Sequence, residues 1–125
     1  MIFSEAPEFS KELKVLSKKW KTLADDLEIA KQSLTQIYSS REIPDKALML
    51  QAFFDGKRAA RLVQTATYEV VKMRLDCSSP GATGKLRLVF VYIRTDDGVL
   101  FIELYAKNDK DREDAKRIAQ YIESL

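Results

Sequence analysis

Six residues in the second half of the chain, Lys72, Arg74, Arg87, Glu103, Tyr105 and Lys107, have types and spacing suited to chemistry on a phosphate. They fall in three stretches that alternate apolar with polar: 69–76 (EVVKMRLD), 84–94 (GKLRLVFVYIR) and 99–107 (VLFIELYAK). Alternation is the period of a strand that buries one face. It sets Val71, Met73 and Leu75 opposite Lys72 and Arg74, and Leu86, Leu88, Phe90 and Tyr92 opposite Arg87. Leu100, Ile102 and Leu104 fall opposite Glu103 and Tyr105. With the apolar sets in one core, the six polar residues share the other face of a sheet, exposed to water. A basic and aromatic sheet face suits a phosphate backbone. An arginine fork pairs with phosphate oxygens. A lysine acts as acid or base when neighbouring cations or burial depress its pKa, and Arg74 and Arg87 supply such crowding for Lys72.

Composition removes many other chemistries. The 125 residues include no histidine and one cysteine, Cys77. His-based triads, His-ligated metals and Cys-rich zinc sites are therefore excluded, and no metal or cofactor is expected. The lone thiol fits a reducing cytoplasm, and beside Ser78 and Ser79 it reads as buried or idle. No apolar run reaches the roughly 18 residues of a membrane span. The N-terminal MIFSEAPEF carries acidic residues where an export signal carries basic ones. Length predicts a single domain over residues 1–125. The net charge of +2 does not by itself imply a nucleic-acid partner, so the distribution of charge has to make that case.

Other elements must hold the alternating stretches in place. Residues 1–4 suit a short first strand. Phe9, Leu13, Leu16, Trp20, Leu23, Leu27, Ala30, Leu34 and Ile37 step by four and three, one stripe down a helix or a helix pair. Lys18, Lys19 and Lys21 suit a helix C-terminus, whereas Asp25 and Asp26 suit an N-terminus, with Thr22 and Asp25 as a capping box. Two helices meeting near residue 20 are expected, packed on the sheet rather than forming a coiled coil. Residues 40–46 read as a break and 46–54 as a further helix ending near Gly56. Lys57, Arg58 and Arg61 follow, either a basic surface turn or a second RNA contact. Residues 77–84 (CSSPGATG) read as a flexible loop, and Thr95 to Gly98 as a hairpin turn with Gly98 at a positive φ. Asp109 is the expected cap of a last helix whose buried side is Ala115, Ile118, Ala119 and Ile122. The result is an α+β fold: a short N-terminal strand, a helical hairpin, a three-stranded antiparallel meander and a C-terminal helix, with helices on one face.

This arrangement resembles the RelE/ParE superfamily of toxin–antitoxin toxins, on the RelE/HigB-like branch. FSKELKVLSKKWKTLADDLE at 9–28 is similar to the family's first helical hairpin. KMRLDCSS at 72–79 is similar to the strand with paired basic residues, and GKLRLVFVY at 84–92 with LYAKND at 104–109 to the last two strands. The resemblance implies a cytoplasmic toxin that is held inactive by a cognate antitoxin. When free, such a toxin cuts mRNA in the ribosomal A site. Lys72 and Arg74 match the paired basic positions, and Arg87 matches the strand arginine. Asn108 stands where RelE has a further arginine, and the final segment lacks the RelE tyrosine, for which Tyr105, Tyr92 and Tyr121 are the candidate substitutes.

RNA is cleaved when its 2′-hydroxyl attacks the adjacent phosphate, so an enzyme must accept that proton, stabilise a phosphorane and protonate the leaving 5′-oxygen. Lys72, Arg74, Arg87 and Glu103 are the candidate catalytic set. Lys57, Arg58, Arg61, Tyr105 and Lys107 are the candidate RNA-binding set. Glu103 reads either as the proton acceptor or as an ion-pair partner of Arg87 across adjacent strands. Lys107 reads either as an RNA contact or as a solvated strand end. Two other functions compete: a ParE-like toxin acting on a protein such as DNA gyrase without cutting RNA, and a non-catalytic binding module with a merely solvated basic face.

Overall fold

The computed structural model describes residues 1–38 and 46–125. The chain runs β1 (Ile2–Glu5), α1 (Pro7–Lys19), α2 (Leu23–Tyr38), α3 (Lys46–Asp55), β2 (Ala59–Gln64), β3 (Tyr68–Leu75), β4 (Leu86–Ile93), β5 (Gly98–Ala106) and α4 (Ala115–Glu123). The fold is α+β, with one five-stranded mixed sheet in the order β1-β5-β4-β3-β2. The expected helix pair is present, and the break falls at Trp20, whose N–H closes α1 on the Leu16 carbonyl. Lys18 and Lys19 occupy the last turn of α1, and Asp25 and Asp26 the first turn of α2. Each charge complements the helix dipole at its position. Thr22 donates to Asp26 (2.7 Å) rather than pairing with Asp25. The expected break at 40–46 lies outside the described residues apart from Lys46, which begins α3.

The meander is longer than the sequence pattern suggested. Residues 59–64 form a fourth antiparallel strand, β2, against β3, where a basic turn or RNA contact was expected. A bulge between Arg61 and Val63 breaks its period of two, which hides it from an alternation test. β1 adds a parallel edge by pairing with β5 from Ile2↔Gly98 to Glu5↔Phe101. The turn before β5 also differs from expectation: the positive φ is at Asp97 (φ 45), not at Gly98, which is already paired in the sheet.

The faces divide as alternation predicts on β3 and β4, but not on β5. A second bulge sits where Val89 pairs with Glu103 and Phe90 with Phe101, leaving Ile102 as the extra residue. It shifts the register by one, so Phe101 and Leu104 lie in the main core while Leu100 and Ile102 lie on the other face. β1 ends at this point. The exposed β5 edge is closed by side chains instead, with Leu104 N–H on Glu12 (3.1 Å) and the Ile102 carbonyl on Arg117 (3.0 Å). α1 and α2 cover the main core face through residues such as Phe9, Leu23, Leu27 and Leu34, all buried with Phe90 and Phe101. α4 lies on the opposite face, not with the other helices, and buries Ile118 beside Val70, Val91 and Ile102. Its cap is Asp114, which accepts Arg117 N–H (3.1 Å), not Asp109. Ala115 and Ala119 are exposed, and Tyr121 with Ile122 completes the inward stripe.

Candidate functional site

The face that carries α4 at one end is open at the other, where the polar residues of β3, β4 and β5 come together. Register sets Arg74, Arg87 and Tyr105 directly across from one another, and Lys72, Val89 and Glu103 in the next row. Lys72, Arg74, Arg87, Glu103 and Tyr105 thus share one face. Lys107 N–H bonds the Lys85 carbonyl (2.7 Å), continuing the β4–β5 ladder past its end. Alternation then carries Lys85 and Lys107 onto the same face. Arg74, Lys85 and Lys107 are exposed and have no side-chain partner among the described residues.

Arg87 is not the water-exposed side chain that a one-sided sheet implies. It is 9% exposed, and its Nη1 donates to the Gly84 carbonyl (2.8 Å) and the Leu86 carbonyl (3.1 Å). Gly84 sits at φ 72, a conformation a side chain resists, and so places its carbonyl under the guanidinium. Nε and Nη2 of Arg87 have no partner among the described residues. Burial, and then the neighbouring Arg74 charge, lowers the Arg87 pKa. An anion beside the two arginines would relieve both costs.

Glu103 is fully buried and does not meet Arg87. The bulge aligns it with Val89, and it pairs instead with Lys110, while its Oε1 accepts Asp114 N–H (2.8 Å). With both oxygens engaged inside the protein, Glu103 anchors the segment between β5 and α4. Fully buried, it presents neither oxygen to a substrate on the open face, and the ion pair expected with Arg87 is made with Lys110 instead. Tyr105 is buried with Lys110 over its ring at 5.2 Å. Its pKa is pushed up to about 12 by burial, then by the Glu113 and Glu103 charges, so it keeps its proton at neutral pH. Lys72 is paired with Glu113, Nζ to Oε2 at 3.1 Å.

Of the second basic group, Arg61 does not join this face. Arg61 lies on the helix side, stacked on Phe54 at 3.8 Å and 3.4 Å from Glu69. Glu69 is buried there among Arg61, Arg94 (2.9 Å) and the Tyr38 hydroxyl (2.7 Å). Arg58 pairs with Asp76, and exposed Lys57 sits in the turn before β2 at φ 60. Between α2, α3 and β3 lies a groove of roughly 870 Å³ lined by residues including Ile29, Ile37, Phe53 and Met73, with Arg58 and Arg74 among its polar lining residues. Sequence reasoning missed Lys85, at the start of the 84–94 stretch, and Lys110 and Glu113, which lie outside the periodic strands and were hinted at only by the run of charges from Lys107 to Asp114. Among the described residues no group of His, Cys, Asp and Glu is placed to hold a metal ion, and no helix is long and apolar enough to cross a membrane.

No protein-family model matches the chain. No curated protein sequence matches it either. Among solved structures it is similar to the archaeal RelE–RelB complex of Pyrococcus horikoshii OT3, with 17% identity and a TM-score of 0.51, over 85% of this chain and 93% of that one. The chain therefore has a RelE-like fold.

Proposed function

We propose that this protein is the toxin of a toxin–antitoxin pair and inhibits translation by cutting mRNA on the ribosome. The observation that carries this reading is the Arg74–Arg87–Tyr105 row, two arginines side by side on the open face of a RelE-like fold, with spare guanidinium donors. In the reaction, the 2′-oxygen attacks phosphorus and the 5′-oxygen leaves. Arg87, already fixed by two backbone carbonyls, stabilises the phosphorane with little reorganisation. Arg74, Lys85 and Lys107 bind the flanking phosphates, and Tyr105 lies beside Arg87 as a neutral hydroxyl. The similar structure is a RelE–RelB complex, and a RelB-like antitoxin is the proposed partner here, in the cytoplasm.

The test is primer extension on a defined mRNA in a reconstituted translation system. Wild-type protein should cut within the ribosomal A site. Arg87→Ala should lose roughly 3 kcal/mol of transition-state stabilisation, a factor of about 100 in rate. Arg74→Ala should be milder, and the double Lys72→Ala, Arg74→Ala variant severe. mRNA left intact by folded wild-type protein would overturn the proposal.

A further inference from the structure

The proton acceptor for the 2′-hydroxyl has no occupant once Glu103 is removed from the role. One other carboxylate stands against the cationic face and is neither sealed in the core nor loose in solvent. Glu113 comes from the segment between β5 and α4, and its side chain is 20% exposed. One oxygen contacts Lys72 Nζ at 3.1 Å, and the other has no side-chain partner among the described residues. The segment is clamped on both sides: the Asp114 N–H is bound to Glu103, and Lys110 is paired with the same carboxylate. Glu113 is therefore held over the sheet by its neighbours, whatever its own contact with Lys72 contributes.

Resting on the nuclease reading above, we propose that Glu113 is a catalytic residue, the general base that takes the 2′-hydroxyl proton, with Lys72 as its paired acid. As Glu113 accepts the proton, the 2′-oxygen bonds phosphorus and the bond from phosphorus to the 5′-oxygen breaks. The leaving oxygen takes a proton from the Lys72 ammonium. Glu113 then returns its proton to Lys72 across their direct contact, and both groups are reset. The products are a 2′,3′-cyclic phosphate and a 5′-hydroxyl, with no metal or water consumed. Burial raises the Glu113 pKa, but its own backbone N–H and Lys72 outweigh that and hold it below the usual carboxylate range, leaving it ionised at neutral pH. The charged or titratable groups around it are Lys72 on β3, Tyr105 on β5 and Arg112 in its own segment.

The experiment is single-turnover cleavage on programmed ribosomes by full-length wild type, Glu113→Gln, Glu113→Asp and Glu113→Ala, each with a thermal melt. Binding is measured separately on an mRNA with a 2′-deoxy nucleotide at the scissile position. Glu113→Gln should cleave roughly 100-fold or more slowly, the span of general base catalysis, while binding the deoxy mRNA as well as wild type. Its rate should also lose the acid limb of the pH profile, Glu113→Asp should recover part of the rate, and added formate should partly restore Glu113→Ala. A folded Glu113→Gln protein that cuts at the wild-type rate overturns the assignment. So does a rate loss matched by equal loss of binding, which would make Glu113 a partner of Lys72 only. Both outcomes leave the nuclease reading standing, because wild type still cuts. Wild type that cuts nothing overturns both.

Discussion

Arg87 changes meaning when its surroundings are known. On an open sheet face, replacing it would leave stability untouched, since surface substitutions usually stay within about 0.5 kcal/mol. In the structure it is buried and holds the Gly84 and Leu86 carbonyls. Arg87→Ala should therefore destabilise the fold by about 1–3 kcal/mol, partly offset by relief of its repulsion with Arg74. Urea melts check this, and an unchanged midpoint would show that the carbonyl contacts contribute no more than the relief of that repulsion returns. Arg87→Lys keeps the charge but not the fork, so it should recover stability better than activity. Glu103→Gln is the companion test. Lys110 is 40% exposed and returns to water, while a glutamine still accepts Asp114 N–H. The cost should be about 1–2 kcal/mol, with cleavage retained in the folded fraction. A folded Glu103→Gln protein without activity, beside a Glu113→Gln protein that still cuts, would restore Glu103 as the base. Of the candidate site, the shared face of Lys72, Arg74 and Arg87 was legible because β3 and β4 keep a strict alternation. The partners of Glu103 were not legible, because a one-residue bulge at Ile102 leaves no mark in composition.

At the level of elements, the loop between β3 and β4 looks flexible in sequence, with Pro80, Gly81 and Gly84, yet it is tied to the start of α2. Asp26 accepts from the Ser78 backbone N–H (3.2 Å), the Ser78 hydroxyl (3.0 Å) and Thr22, while Ser79 Oγ meets Thr22 N–H (3.0 Å). The tie matters to the site because the same loop ends at Gly84, under Arg87. Burial raises the Asp26 pKa, but hydrogen bonds from Thr22, Cys77 and Ser78 outweigh it, and the net shift is downward. A folded-state pKa below the unfolded value means this stability is present above the unfolded pKa of about 3.9 and is lost as pH falls through the folded one. Wild type should thus weaken below about pH 4, and Asp26→Asn should be less stable at pH 7 while losing that part of the acid dependence. Equal acid slopes for the two proteins, measured by urea melts from pH 7 to pH 3, would contradict the linkage. The helix pair was readable from the Phe9-to-Ile37 stripe and the charge reversal at residue 20. β2 was not, since Ala59, Ala60 and Arg61 carry little hydrophobic signal and the bulge that follows breaks the period. The placement of α4 was equally hidden. Its inward stripe runs through Ile118, Tyr121 and Ile122, whereas the two alanines favoured by spacing point to water.

For the molecule as a whole, 21 basic and 19 acidic residues nearly cancel, so any attraction for RNA must come from where charge is left unpaired. Around α4 three cations are paired, Lys72 with Glu113, Lys110 with Glu103 and Arg117 with Glu12. At the opposite end of the same face, Arg74, Lys85 and Lys107 are exposed without partners among the described residues. That end also meets the apolar groove behind β3, since Arg74 lines both. A segment that laid apolar residues in the groove and a carboxylate on Arg74 would close the RNA site without touching Arg87. A partner that folds on binding suits such an extended surface. On the toxin proposal, expression of the intact chain alone should arrest growth, and co-expression of its antitoxin should restore it. Arg74→Glu should weaken both RNA binding and rescue, while Phe53→Ala in the groove should weaken rescue alone and leave toxicity in place. Cells growing normally under strong expression of folded, partner-free protein would sink the toxin reading. Full rescue of the doubly substituted Arg74→Glu, Phe53→Ala chain, compared at a level of residual toxicity, would instead place the antitoxin on another surface.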